Sequence, residues 1–148
     1  MKYKYFGNEV VEVRPQNNLY PGIENPRQLY DALSHIWSIE TCAPRYRPEW
    51  SKENKTLGQC SITSFLVQDI FGGEVFGVKL PDGGYHCFNV VGGKIFDITS
   101  EQFGDEKLVY TLEYPQTRES HFASEEKKQR YELLRNELRK YLLKQHIK

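Results

Sequence analysis

The stretch Gly58-Gln59-Cys60-Ser61-Ile62-Thr63-Ser64-Phe65-Leu66-Val67-Gln68-Asp69-Ile70-Phe71-Gly72-Gly73 constrains the fold more than any other part of the chain. Ile62, Phe65, Leu66, Asp69 and Ile70 recur at helical spacing, and Gly72-Gly73 supplies the left-handed stop that ends many helices. Lys55-Thr56-Leu57-Gly58 lacks that period, so the helix is expected to begin close to Cys60 and to end near Phe71. A thiol on the first turn feels the unsatisfied N–H groups and the positive end of the macrodipole, both of which favour thiolate. Position alone therefore makes Cys60 a candidate nucleophile. The structural alternative is a small buried residue where a helix meets a sheet, because free cysteine is among the most buried residue types.

Upstream of this helix, Glu9-Val10-Val11-Glu12-Val13 reads as a short strand. Asn25-Pro26 places a capping side chain before a proline at the first helical position, and Leu29, Leu33, Ile36 and Trp37 continue a helical period to about Ser38. Residues 39–57 show neither period and read as a long loop delivering the chain to Cys60. Downstream, Glu74–Leu80, Tyr85–Val91, Lys94–Ile98 and Lys107–Glu113 read as four strands of an antiparallel meander. From Ser124 to about His146 the chain becomes a long charged helix, acidic in its first turn, with the apolar stripe Tyr131, Leu134, Leu138, Tyr141 and Leu142. The expected architecture is one α+β domain over residues 1–148, its meander packed against the central Cys60 helix, with an N-terminal and a long C-terminal helix around it.

The Gly92-Gly93 turn makes the strand pairing countable. A two-residue loop sets Val91 opposite Lys94, which brings Val90 opposite Ile95, Phe88 opposite Asp97 and His86 opposite Thr99. Alternation with period two puts His86 and Asp97 on one face as diagonal neighbours, roughly 7–8 Å apart at the backbone. Cys87 and Asn89 point to the other face. If the Cys60 helix covers the His86 face, Cys60, His86 and Asp97 become thiol, base and orienting acid in chain order. The Cys60 N–H would donate to a developing oxyanion, with Gln59 or Asn54, the polar side chains just upstream, as second donor. Each residue also has a purely structural reading: His86 bonded to a carbonyl, Asp97 capping a turn, Gln59 capping the helix and Asn54 in solvent.

Composition narrows the function classes. Twenty basic residues balance twenty acidic ones, so no global charge recruits nucleic acid or anionic membrane. The C-terminal helix interleaves Glu with its Lys and Arg and packs best on its own domain, with a homodimer through that helix left open. Cys42, Cys60 and Cys87 are an odd number, and Met1–Phe6 contains no apolar leader segment, from which free thiols in a reducing cytoplasm are expected. No zinc-ligand spacing is present, and neither metal nor cofactor is expected. Cys42 reads as a packed structural thiol, and is the one plausible resolving partner if Cys60 were a redox-sensing thiol. His35, His121 and His146 stand alone in the sequence, with His121 in a loop that could border a cleft. Asp69, among apolar helix residues, reads as paired inside the fold.

The stretches Trp37–Cys42, Gly58-Gln59-Cys60, Gln68–Glu74, His86–Asn89, Phe96–Phe103 and Lys128–Leu134 resemble the YunG-like family of bacterial proteins, over most of the chain from residue 25 onward. More distantly, a cysteine at a helix start, a histidine on one strand and an aspartate on the next are similar to the papain-like and transglutaminase-like superfamily. That resemblance implies a papain-like fold and thiol-mediated acyl transfer or hydrolysis of a small-molecule or peptide amide, with Cys60, His86 and Asp97 as catalytic residues. The other reading is a binding or regulatory module on the same fold, without turnover.

Overall fold

The computed structural model describes residues 3–147, and the side chains of residues 3–145. Helix α1 (Pro26–Leu33) starts where the Asn25 side chain accepts from the Gln28 N–H at 3.0 Å. It stops five residues before the expected Ser38. Successive turns carry the chain on, with Ser34 Oγ donating to the Tyr30 carbonyl and the Trp37 N–H to the Leu33 carbonyl. These turns keep Leu33 and Trp37 facing inward, which is why the apolar spacing outlasts the helix. Residues 39–57 contain a 3₁₀ turn, Pro44–Glu49, and are tied down by Arg47 Nε to the Cys42 carbonyl and Trp50 Nε1 to the Lys55 carbonyl.

Helix α2 (Cys60–Phe71) begins and ends where its period and its glycine pair require, with Gly72 and Gly73 both at positive φ. It is the centre of the core. Ile62, Phe65, Leu66, Val67 and Ile70 are wholly buried, in one cluster with Leu29, Leu33, Leu134 and Leu138. Trp37 Nε1 donates to Thr63 Oγ1 at 3.0 Å, fixing the segment after α1 to α2.

Strands β1 (Glu74–Lys79), β2 (Tyr85–Val91) and β3 (Lys94–Phe96) form an antiparallel meander, and the Gly92-Gly93 register is as counted: Val91 faces Lys94 and Asn89 faces Phe96. The fourth strand is not where alternation predicts it. Residues 107–113 are irregular, and the two-residue strand β4 (Pro115–Gln116) pairs with β1, giving the order β3-β2-β1-β4. Tyr110 from this segment stacks edge-on against Phe88. Tyr110 thus packs on a sheet face while Val109 and Leu112 are exposed, and the segment does not extend an edge. The expected N-terminal strand is also absent, since residues 9–13 have no strand pairing; instead Phe6 bridges to Asp97, the Asp97 N–H donating to the Phe6 carbonyl at 2.8 Å. Gly7 permits that approach, because a Cβ there would sit 2.5 Å from the Ile95 carbonyl oxygen.

Helix α2 covers the sheet face bearing Val75, Cys87 and Val91, not the face of Phe76, Phe88 and Val90 on which His86 lies by alternation. Asn89 on the covered face donates to the Ser64 carbonyl at 2.9 Å and pins the helix to β2. After the short helix α3 (Arg118–His121), helix α4 (Glu125–Ile147) packs against α1 and α2, burying Tyr131, Leu134, Leu138 and Leu142 of the expected stripe. The fold is α+β, with a four-stranded antiparallel sheet among the described residues. No helix among those residues is long and apolar enough to cross a membrane.

Candidate active site

Three local structures converge where β2 begins and α2 starts. Gly58, at φ +74°, turns the loop into α2; a Cβ there would lie 2.5 Å from Cys42 Sγ, so the position accepts only glycine without displacement. Cys60 follows as the first residue of the helix and is half-buried. The N–H groups of Cys60, Ser61 and Ile62 have no backbone acceptor among the described residues, as expected for a helix start without a side-chain cap.

His86, the second residue of β2, is almost completely buried, and its Nε2 donates to Asp97 Oδ2 at 2.6 Å. Asp97 is held in turn. Its Oδ2 accepts from the Tyr110 hydroxyl at 2.8 Å, and its Oδ1 from the N–H and Oγ1 of Thr99, both at 3.2 Å. Although His86 belongs to the face opposite α2, its place at the end of the strand brings it to the same cleft as Cys60, where the charges of the two groups act on one another. With Nε2 committed to Asp97, Nδ1 is the nitrogen left for Cys60.

Cys87 is also at the site. Its position on the covered face sets it under α2, in the cluster against which Cys60 packs, with its Sγ 3.9 Å from His121 Nε2. Cys87 does lie on the face opposite His86, as alternation predicts, but that is the face α2 covers, so, contrary to expectation, it is not remote from the site. The thiol of Cys87 does most to hold the Cys60 pKa well below the usual thiol range; burial opposes it, and the charge of His86 adds to it. Cys87 itself is driven well above that range, first by donating to Cys60 and then by burial. For His86, burial works against the charged ring, but the Asp97 carboxylate and the Cys60 thiolate outweigh it and raise the pKa to about 10. These directions favour a thiolate–imidazolium pair of Cys60 and His86 beside a neutral Cys87.

Cys60 and His86 border a cleft of about 560 Å³, walled by Tyr46, Leu57, Tyr85, Phe103 and His121 among others. His121, one of the isolated histidines of the sequence, donates from Nε2 to Gln116 Oε1 at 2.8 Å, and its Nδ1 accepts from Lys127 Nζ at 2.9 Å. Burial, followed by the Lys127 charge, lowers its pKa to about 4, so it is neutral.

The two residues considered as a second oxyanion donor are not on the cleft wall. Gln59 is fully buried with Nε2 donating to the Ser38 carbonyl, and Asn54 lies by Thr56 and Glu101 on the far side of the loop. Gln102, absent from the sequence reading as a site residue, does line the cleft, but its Nε2 donates to the Thr56 and Thr99 carbonyls. Asp69 pairs with Arg118, as its place in the helix suggests. His146 lies outside the residues whose side chains are described. Among the described residues, no group of three or more His, Cys, Asp or Glu side chains is arranged to hold a metal ion.

Comparison with known proteins gives two matches. The family described as "YunG protein" matches residues 25–143. An "Uncharacterized protein YunG" of Bacillus subtilis (strain 168) is 32% identical over 110 residues, covering 74% of this chain and 88% of that protein. No solved structure matches.

Proposed function

This chain belongs to the YunG family, and we propose that it is a papain-like thiol hydrolase or acyltransferase acting on an amide or related acyl substrate through Cys60, His86 and Asp97. The observation that carries the reading is a thiol at a helix start lining one cleft with a histidine whose Nε2 is held by a buried carboxylate. The Cys60 thiolate attacks the carbonyl carbon, forming a C–S bond, while oxygen takes the negative charge. The N–H groups at the start of α2 donate to that oxygen in a field already favourable to anions. The His86 imidazolium then gives its Nδ1 proton to the departing nitrogen, leaving a thioester. Neutral His86 takes a proton from water, for hydrolysis, or from an acceptor amine, for transfer, as that oxygen or nitrogen bonds to the thioester carbon; the C–S bond then breaks and the thiolate returns beside the imidazolium. Throughout, Asp97 keeps the ring oriented and its proton on Nε2.

The test is the pH dependence of Cys60 alkylation by iodoacetamide, followed by peptide mapping so that Cys42 and Cys87 stay in place. Alkylation at Cys60 titrating well below about pH 8.5, and slowed at least roughly tenfold near neutral pH by His86→Ala, is the expected result. A Cys60 that titrates like a free thiol, regardless of His86, sinks the nucleophile reading and leaves a binding or regulatory module on the same fold.

A further inference from the structure

Cys87 is the group at the site that takes no part in the bond-making and proton-transfer steps of acyl transfer, although it helps to hold Cys60 as a thiolate. It is completely buried on the β2 face that α2 covers, in the cluster of side chains against which Cys60 packs. We infer that Cys60 and Cys87 form a peroxide-responsive pair, in which Cys60 is the oxidation site and Cys87 the resolving thiol that captures its sulfenic acid as a disulfide. The pairing rests on geometry. Cys60 meets solvent through the cleft whereas Cys87 is sealed beneath it, so a hydroperoxide can reach the first sulfur only. The second lies beneath the start of α2, in the cluster against which Cys60 packs, and the two sulfurs must close to about 2.05 Å for a disulfide. Cys42 is not the partner expected from the sequence. It is buried against Gly58, with its thiol directed at the Ala43 carbonyl at 3.4 Å, and burial raises its pKa.

The reaction balances with a hydroperoxide as the oxidant. The Cys60 thiolate attacks the terminal peroxide oxygen, the S–O bond forms and the O–O bond breaks. The sulfur loses two electrons, and the departing oxygen takes a proton from the His86 imidazolium to leave as water or an alcohol. The Cys87 sulfur then attacks Cys60, the S–S bond forms and the S–O bond breaks; hydroxide leaves with the Cys87 proton as water. A low-pKa thiolate open to solvent, with a resolving thiol beside it, is the arrangement in which sulfenic acid is trapped before it over-oxidises.

The inference rests on the same Cys60 thiolate as the proposed function but not on turnover. Its test is treatment of the full chain with a few equivalents of hydrogen peroxide, read by intact mass and peptide mapping. The parent is expected to lose two hydrogens, to yield a linked Cys60–Cys87 peptide, and to recover fully with dithiothreitol. Cys87→Ser is expected to accumulate at least about tenfold more dimedone-trapped Cys60 sulfenic acid and then irreversible acids, while Cys42→Ser follows the parent. Over-oxidation of Cys60 in the parent without the linked peptide overturns the inference, and so does a Cys42 linkage; neither result depends on the variants folding. A parent that alkylates as an ion-paired thiolate but forms no disulfide loses this inference alone, while one whose Cys60 resists both reagents loses both readings.

Discussion

Asp97→Asn separates the charge of the third residue from its shape. The substitution leaves an amide of nearly equal size among Tyr110, Thr99 and His86, so packing is conserved while the carboxylate facing His86 Nε2 disappears. An ordinary imidazole titrates near 6.5, and holding it at about 10 against the opposing cost of burial means that Asp97 and the Cys60 thiolate together favour the imidazolium by more than about 5 kcal/mol. If Asp97 supplies half, its loss withdraws roughly 2 kcal/mol, or about 30-fold in imidazolium population, and burial then pushes the ring toward the neutral form. The amide also presents an N–H to Nε2, which drives the remaining ring proton to Nδ1 and deprives the site of its base. Thiolate alkylation at about pH 6 is the assay, because a free thiol is almost fully protonated there. A drop of at least tenfold, with native circular dichroism, is expected for Asp97→Asn. A variant whose Cys60 profile overlays that of the parent would refute the claim that Asp97 charge sustains the pair.

Tyr110→Phe removes one of the four hydrogen bonds on Asp97 and is expected to cost about 1–2 kcal/mol in urea denaturation, with less than about a threefold change in Cys60 alkylation. Gly58→Ala puts a Cβ against Cys42 Sγ at a positive φ and should destabilise the fold by about 2–3 kcal/mol, measured the same way. Between its ordinary value near 6.5 and its folded value of about 4, His121 holds fewer protons folded than unfolded. Stability therefore falls as pH drops through that window, and thermal melting of His121→Gln should show a smaller decline than the parent.

Much of the frame is local and hence legible. The period and glycine stop of α2, the Asn25-Pro26 start of α1, the Gly92-Gly93 register and the stripe of α4 each follow from residues a few positions apart. The same local logic brought His86 and Asp97 together, and the structure joins them by the 2.6 Å hydrogen bond. It misled where apolar spacing has more than one outlet. Ile36 and Trp37 extend the spacing of α1 through turns, and Lys107–Glu113 alternates because Tyr110 covers a sheet face, with no strand forming there.

What the sequence by itself determined is the thiol at a helix start and the His–Asp pair of a hairpin, because helix periods and tight turns are set by neighbouring residues. Which face of the sheet the helix covers was decided only in three dimensions. Both faces of β2 are apolar, with Phe88 and Val90 on one and Cys87 and Val91 on the other, so alternation could not choose between them. That choice depends on how much surface α2, α4 and residues 103–114 can each bury, a sum over the whole chain. Its result puts Cys87, far from Cys60 in the chain, beneath α2 and sets His121 on the wall of the cleft that Cys60 borders.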